Sequence, residues 1–203
     1  MPRQNRVLPT GQIVAHPARG LFMGNRGCLH RPDGTLDRAR WRGARWITCL
    51  TAFQGRRREL MAPGRYTELF FLDEAVALAA GHRPCAECRR ESWRAYVAAW
   101  ARAGLPGRGA GEIDRVLHAA RLGPDGAQTT YPTPAEGLPD GAFIALPAPH
   151  LVLSGRALPF TPEGYGLPCP LPSGSVTVLT PAPSLATLRA GYRPVLHPTA
   201  TDG

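Results

Sequence analysis

Two cysteines three positions apart, Cys85 and Cys88 in "RPCAEC", lead into a run of arginines and an amphipathic segment. A C-x-x-C knuckle that opens a helix puts two sulfurs on one side of a metal, and the unpaired N–H groups of the next turn stabilise their charge. One such pair is half of a tetrahedral zinc site, which takes four thiolate or imidazole ligands. The other half has to come from Cys49 in "RWITCLTAF" and Cys28 in "GNRGCLH", with His30 the substitute for Cys28. The expected ligands of Zn2+ are therefore Cys28, Cys49, Cys85 and Cys88, leaving Cys169 alone in "LPCPLP". Five cysteines is an odd number, which does not suit a disulfide framework. The competing reading, a redox C-x-x-C, lacks a thioredoxin-like βαβ context.

Carboxylates come next. In "YTELFFLDE" an extended chain puts Tyr66, Glu68 and Phe70 on one face, so Glu68 sits between two aromatics. A carboxylate in apolar surroundings is suited to acid–base work; the competing reading pairs Glu68 with an arginine. Asp73 is a second carboxylate candidate for catalysis, against the stronger competing reading of a cap for the helix after it. Asn25 is the candidate for a polar contact to a base. The chain has no lysine, which excludes a P-loop lysine, a nuclease site that depends on lysine and a lysine Schiff base. Removal of Met1 would make Pro2 a secondary-amine nucleophile.

All 24 basic residues are arginine, and they are unevenly spread. Residues 1–105 hold 18 arginines and eight acids, whereas residues 106–203 hold six and seven. One-sided positive charge suits phosphate neutralisation, so DNA is the expected partner. Arg56, Arg57 and Arg58 form a triplet between two strands, and Arg83, Arg89 and Arg90 surround the knuckle; with Tyr66 as a stacking surface these are the candidate DNA contacts. No apolar run approaches the roughly 20 residues of a membrane span. A cytoplasmic monomer with no membrane contact is expected.

These residues need elements to hold them. Residues 1–43 read as loop-rich. "RWITCLTAF" (45–53) and "YTELFF" (66–71) read as strands, "EAVALAA" as a short helix stopped by Gly81, and 86–103 as a longer helix with Trp93, Val97 and Trp100 at helical spacing. "GLPGRGAGE" (104–112) is the linker candidate, followed by a helix over 113–122 and a loop. "AFIAL", "HLVLSGRALPF" and "SVTVLT" are β-prone, and Ser184 can cap a last helix. The fold class is α+β: a basic zinc-stabilised region over 1–105, a linker with a short helix over 106–140, and a β-rich region over 141–203.

The segment "FFLDEAVALAAGHRPCAECRR" resembles the zinc-binding domain of the Ada DNA-methylation-repair proteins, in which a Phe-rich strand and an Ala-rich helix precede a similar knuckle. Gly81, Arg83, Pro84, Cys85 and Cys88 match, and His82 stands where an aromatic is usual. The resemblance covers about 25 residues and implies a zinc module lying against a DNA backbone, with Arg83 near a phosphate. That family's C-x-x-x-C pair and its methyl-accepting cysteine are missing here, as is an alkyltransferase P-C-H-R motif. The function expected is a hydrolytic DNA glycosylase that excises a damaged or modified base, in repair or in defence against modified phage DNA. The alternatives are a zinc-knuckle nuclease of the His-metal type and a non-enzymatic nucleic-acid-binding regulator.

Overall fold

The computed structural model describes residues 1–56 and 59–200. Two mixed layers, each a sheet with helices, share their apolar interior. The first sheet runs in the order β2-β1-β5-β3-β4-β6, from β1 (Gln4–Val7), β2 (Ile13–Ala15), β3 (Phe22–Asn25), β4 (Ile47–Leu50), β5 (Leu69–Phe71) and β6 (Arg83–Pro84). Three of its six strands thus come from the stretch that reads as loop. They are only three or four residues long and contain Arg, Gly and Asn, so no alternation builds up before the chain turns.

Alternation within the central strands makes the sheet two-faced. Phe22, Gly24, Thr48, Leu69 and Phe71 point inwards and are buried. Met23, Asn25, Ile47, Cys49 and Phe70 point the other way and are half-buried. The register pairs Met23 with both Phe70 and Cys49, which sets those side chains in one row across the outer face. Gly24 lets the strands close up: a Cβ there would lie 2.1 Å from the Ile47 carbonyl oxygen and 3.0 Å from the Phe71 ring.

Helix α1 (Glu74–Ala79) covers the inner face and is buried along its whole length, as an Ala-rich helix can be. Asp73 caps it through the Val76 N–H. It ends in a Schellman turn, with Gly81 at φ +83°, Gly81 N–H bonded to the Leu78 carbonyl and His82 N–H to the Ala77 carbonyl. That turn feeds the chain into β6, parallel to β4, where Cys85 N–H reaches the Thr48 carbonyl. Helix α2 (Arg90–Arg102) then buries Tyr96, Ala99 and Trp100, and α3 (Ala110–Arg121) buries Ile113 and Leu117.

The second sheet comprises β7 (Tyr131–Pro134), β8 (Phe143–Leu146), β9 (Ala148–Leu153), β10 (Arg156–Thr161), β11 (Gly164–Tyr165), β12 (Cys169–Pro170) and β13 (Ser175–Val178), in the order β11-β10-β9-β8-β13-β7 with β12 against β10. Helix α4 (Ala182–Arg189) follows, starting after Pro181 rather than at Ser184, which is buried inside it. Phe143, Leu151 and Leu158 of this sheet join Phe22, Phe71 and Val76 in one apolar cluster. Tyr96, Trp100, Ile113 and Leu117 join Val178 and Leu185 in another. The stretch read as a linker runs over the surface between α2 and α3, with Leu105 packed against this second cluster and Trp100 Nε1–H bonded to the Pro106 carbonyl. The structure is α+β.

Among the described residues two ion pairs are buried. Arg83 forks onto Asp114 of α3 at 3.0 and 2.8 Å, with both side chains nearly inaccessible, and lies over Trp93. Arg89 pairs with Glu74 at 2.8 Å, and Glu74 also accepts from the Tyr192 hydroxyl and Val195 N–H. Arg83→Met is expected to cost about 3–5 kcal/mol, because it strands a buried carboxylate. The double substitution Arg83→Met, Asp114→Leu recovers most of that loss, as read from denaturant midpoints.

Candidate functional site

The parallel pairing of β4 and β6 sets Cys49 beside Cys85, and the knuckle carries Cys88 back towards both. The three Sγ atoms lie within 4.8 Å of one another, a spacing that can hold a metal ion. Backbone N–H groups point at two of the sulfurs, Glu87 N–H at that of Cys85 and Leu50 N–H at that of Cys88, both at 3.4 Å. Hydrogen bonding from Cys49 pulls the Cys85 thiol down to about 5. The bond to Cys85 together with burial pushes Cys49 up, and burial and the neighbouring charge of Cys85 push Cys88 up. Holding all three as thiolates requires a cation among them.

Cys28 is not in this group. Gly27 at φ +99° turns the chain so that Leu29 goes into the core, and the Cys28 sulfur lies 3.8 Å from the His30 carbonyl. His30 is also committed elsewhere, with Nδ1 on the Thr67 hydroxyl at 2.7 Å and Nε2 on the Ala62 carbonyl at 3.2 Å. Among the described residues the cluster therefore has three ligands.

The cluster opens on a groove of about 440 Å³ along the outer face of the first sheet. Glu68, Tyr66, Phe70 and Asn25 line the same groove. Glu68 is 2 % exposed, and its Oε2 accepts from Met61 N–H at 2.7 Å, holding a residue with the unfavourable φ of +58°. Asn25 Oδ1 accepts from Gly27 N–H at 3.4 Å. No family model, no curated protein and no solved structure matches the chain. What the site does must be read from its own chemistry.

The other expected site residues differ in burial and in place. Asp73 is buried and spent: besides capping α1 it accepts from the Tyr165 hydroxyl at 2.7 Å and His197 N–H at 3.0 Å. Burial pushes its carboxyl up against those hydrogen bonds, and it does not line the groove, so it is a structural residue. Arg83 and Arg89 face inwards onto Asp114 and Glu74 and cannot meet a phosphate. Arg56 and Arg90 are exposed. Arg56 lines the groove, 2.7 Å from Glu87 and with its guanidinium 5.3 Å from the Phe53 ring centre. Arg57 and Arg58 lie outside the described residues. Pro2 lines a different cavity, beside Arg6 and Phe70.

Two residues on the groove escape a reading of the sequence. Glu87 sits inside the C-x-x-C knuckle, where its spacing to the cysteines is the available signal. Arg45 flanks β4, and only the pairing of β4 with β6 brings it to the groove. Among the described residues, no helix is long and apolar enough to cross a membrane.

Proposed function

We propose that the protein is a zinc-containing DNA glycosylase that takes an everted, modified base into the groove and hydrolyses its N-glycosidic bond. The observation that carries the reading is Glu68: a buried carboxylate on the wall of a groove that also holds Tyr66 and Asn25 and has the exposed Arg45 and Arg56 on its lining. The groove has the volume of a small-molecule site. Tyr66 and Phe70 offer apolar surface to a base, and Asn25 an amide to its polar edge. Glu68 draws a proton from a water molecule whose oxygen bonds to C1′ as the C1′–N bond breaks, and the base leaves with the bonding electrons and is protonated from solvent. The carboxylate also opposes the positive charge that develops on the sugar. Zinc would be held by Cys49, Cys85 and Cys88; its chemistry here is to tie β4, β6 and the start of α2 into one wall. The basic balance of residues 1–105 supports DNA as the partner.

The test is product analysis on normal, alkylated, deaminated and hydroxymethylated or glucosylated duplexes. Free base with strand breaks only after alkali is the expected result. No product on any of them would remove the glycosylase and favour a binding protein. A second reading rests on the ligand count, since three protein ligands with an open position characterise catalytic metal sites. The group would then supply a Lewis acid, and direct breaks abolished by a chelator would select that reading. In either case Arg45→Gln and Arg56→Gln are each expected to weaken binding to any sequence and to lower the salt slope of binding by about 1, as read by titration at several salt concentrations.

A further inference from the structure

A second cavity, about 490 Å³, lies away from the groove and shares no lining residue with it. Arg26, Arg40 and Arg121 line it, and no acidic residue does. Arg26 and Arg121 are 3 % and 1 % exposed, and among the described residues neither has an ion-pair partner. The nearby carboxylate of Asp114 is occupied by Arg83 through both oxygens. Arg26 makes one good bond, to the Gly11 carbonyl at 3.0 Å, and two long ones, to His82 Nε2 at 3.4 Å and the Ala80 carbonyl at 3.5 Å. Arg121 reaches the Gly81 and Ala44 carbonyls and lies 2.7 Å from His118 Nδ1, all through its two terminal nitrogens; its Nε has no partner among the described residues, and neither does the buried Thr10 hydroxyl on the cavity lining.

His82 neither adds to this charge nor offsets it. Burial first, then Arg26 and Arg121, hold it well below the usual histidine range, so it is neutral. Burial brings both guanidiniums down to about 9, which still leaves them charged at neutral pH. Two uncompensated buried cations are costly in a core. Carbonyls at the end of α1 and the Trp46 ring, 4.1 Å from Arg26 and 3.7 Å from Arg121, offset part of this. An anion would offset more, and guanidinium forks match phosphate oxygens.

We propose that this cavity binds a nucleotide: its phosphate on Arg26 and Arg121, with the Thr10 hydroxyl, and its base along Trp41. The space exceeds what a bare phosphate needs. Trp41 is half-exposed, forms one wall and is tilted 50° to Trp46 at 6.4 Å, with Gly126 so close to its edge that a Cβ there would meet the ring at 2.9 Å. The phosphate could belong to a free mononucleotide or to the 5′-terminal nucleotide of a DNA strand.

The test uses the full, metal-loaded protein with inorganic phosphate, deoxynucleoside monophosphates, and short single strands with and without a 5′-phosphate. Calorimetric titration and Trp fluorescence read binding, and chloride at matched ionic strength is the control. Phosphate should raise the melting temperature where chloride does not, and a mononucleotide should bind at least about tenfold more tightly than phosphate. Trp41→Ala should remove that tenfold preference while keeping phosphate binding. Arg121→Gln, if folded by circular dichroism, should lose about tenfold or more for both. A strand that gains affinity from its 5′-phosphate, and loses that gain in Arg121→Gln, assigns the source to DNA ends; a strand indifferent to its 5′-phosphate assigns it to free nucleotides. Phosphate no better than chloride, or full affinity in a folded Arg121→Gln protein, would overturn the proposal. A mononucleotide no tighter than phosphate, or a preference unchanged in Trp41→Ala, would overturn its nucleotide part. Glu68→Gln should leave all of this unchanged, so the result stands apart from that of the glycosylase test.

Discussion

Cys85→Ala is expected to abolish metal binding and to loosen the wall formed by β4, β6 and the start of α2, while the two apolar clusters stay folded. Structural zinc sites in small modules have apparent binding free energies of about 10–16 kcal/mol, and a chelate reduced from three thiolates to two forfeits much of that. The loss concentrates at the knuckle, because the half-buried Cys49 and Cys88 then have no shared cation to hold them together. Phe71, Phe143, Tyr96 and Trp100 lie in clusters to which none of these three cysteines contributes. Secondary structure should therefore persist. A local loss of about 3 kcal/mol would lower the melting temperature by roughly 6–12 °C for a chain of this size. Cys28→Ala is the control that decides between ligand sets: it should keep stoichiometric metal by elemental analysis. Metal lost equally in both variants would mean that Cys28 completes the site. No metal in the unsubstituted protein would end the zinc reading.

Why three of the four expected cysteines converge and one does not shows how far the sequence could be read. Cys49 is on a β-prone run, and Cys85 and Cys88 follow a helix stop and a proline, so local signals place each on its element, and the parallel pairing of β4 with β6 brings them together. Cys28 depends on a left-handed glycine and on which of Cys28 and Leu29 enters the core, and core demand outweighs ligand spacing. The arginines teach the same lesson. Their excess in the first half invites a surface reading, yet Arg26, Arg83 and Arg89 are buried. Arg83 is held by Asp114, 31 positions away, through a helix whose position depends on tertiary packing. Arg89 is held by Glu74, which a sequence reading assigns to the first turn of a helix and nothing more. Tyr66, Glu68 and Phe70 do share one face, because an alternating chain dictates it even though β5 itself begins only at Leu69. The groove was not legible, since it needs β3, too short to signal itself, between β5 and β4.

Glu68→Gln is expected to lower base release by about 10²–10⁴-fold, the usual contribution of a positioned general base. DNA affinity should stay within about twofold. The argument rests on what glutamine keeps and what it loses. Its side-chain oxygen still accepts from Met61 N–H, so the turn through the left-handed Met61 is retained and the groove keeps its wall. What goes is the negative charge and the ability to take a proton from water. Glu68→Ala is the harsher variant: it also frees Met61 N–H in a buried setting, which costs about 1–3 kcal/mol. A stable Gln variant and a destabilised Ala variant, both inactive, would separate the chemical role from the structural one. If the Gln variant instead releases base at the original rate, Glu68 only secures the turn, and the nucleophilic water must be activated by another group on the groove, of which Glu87, at the cysteine end, is the remaining described carboxylate.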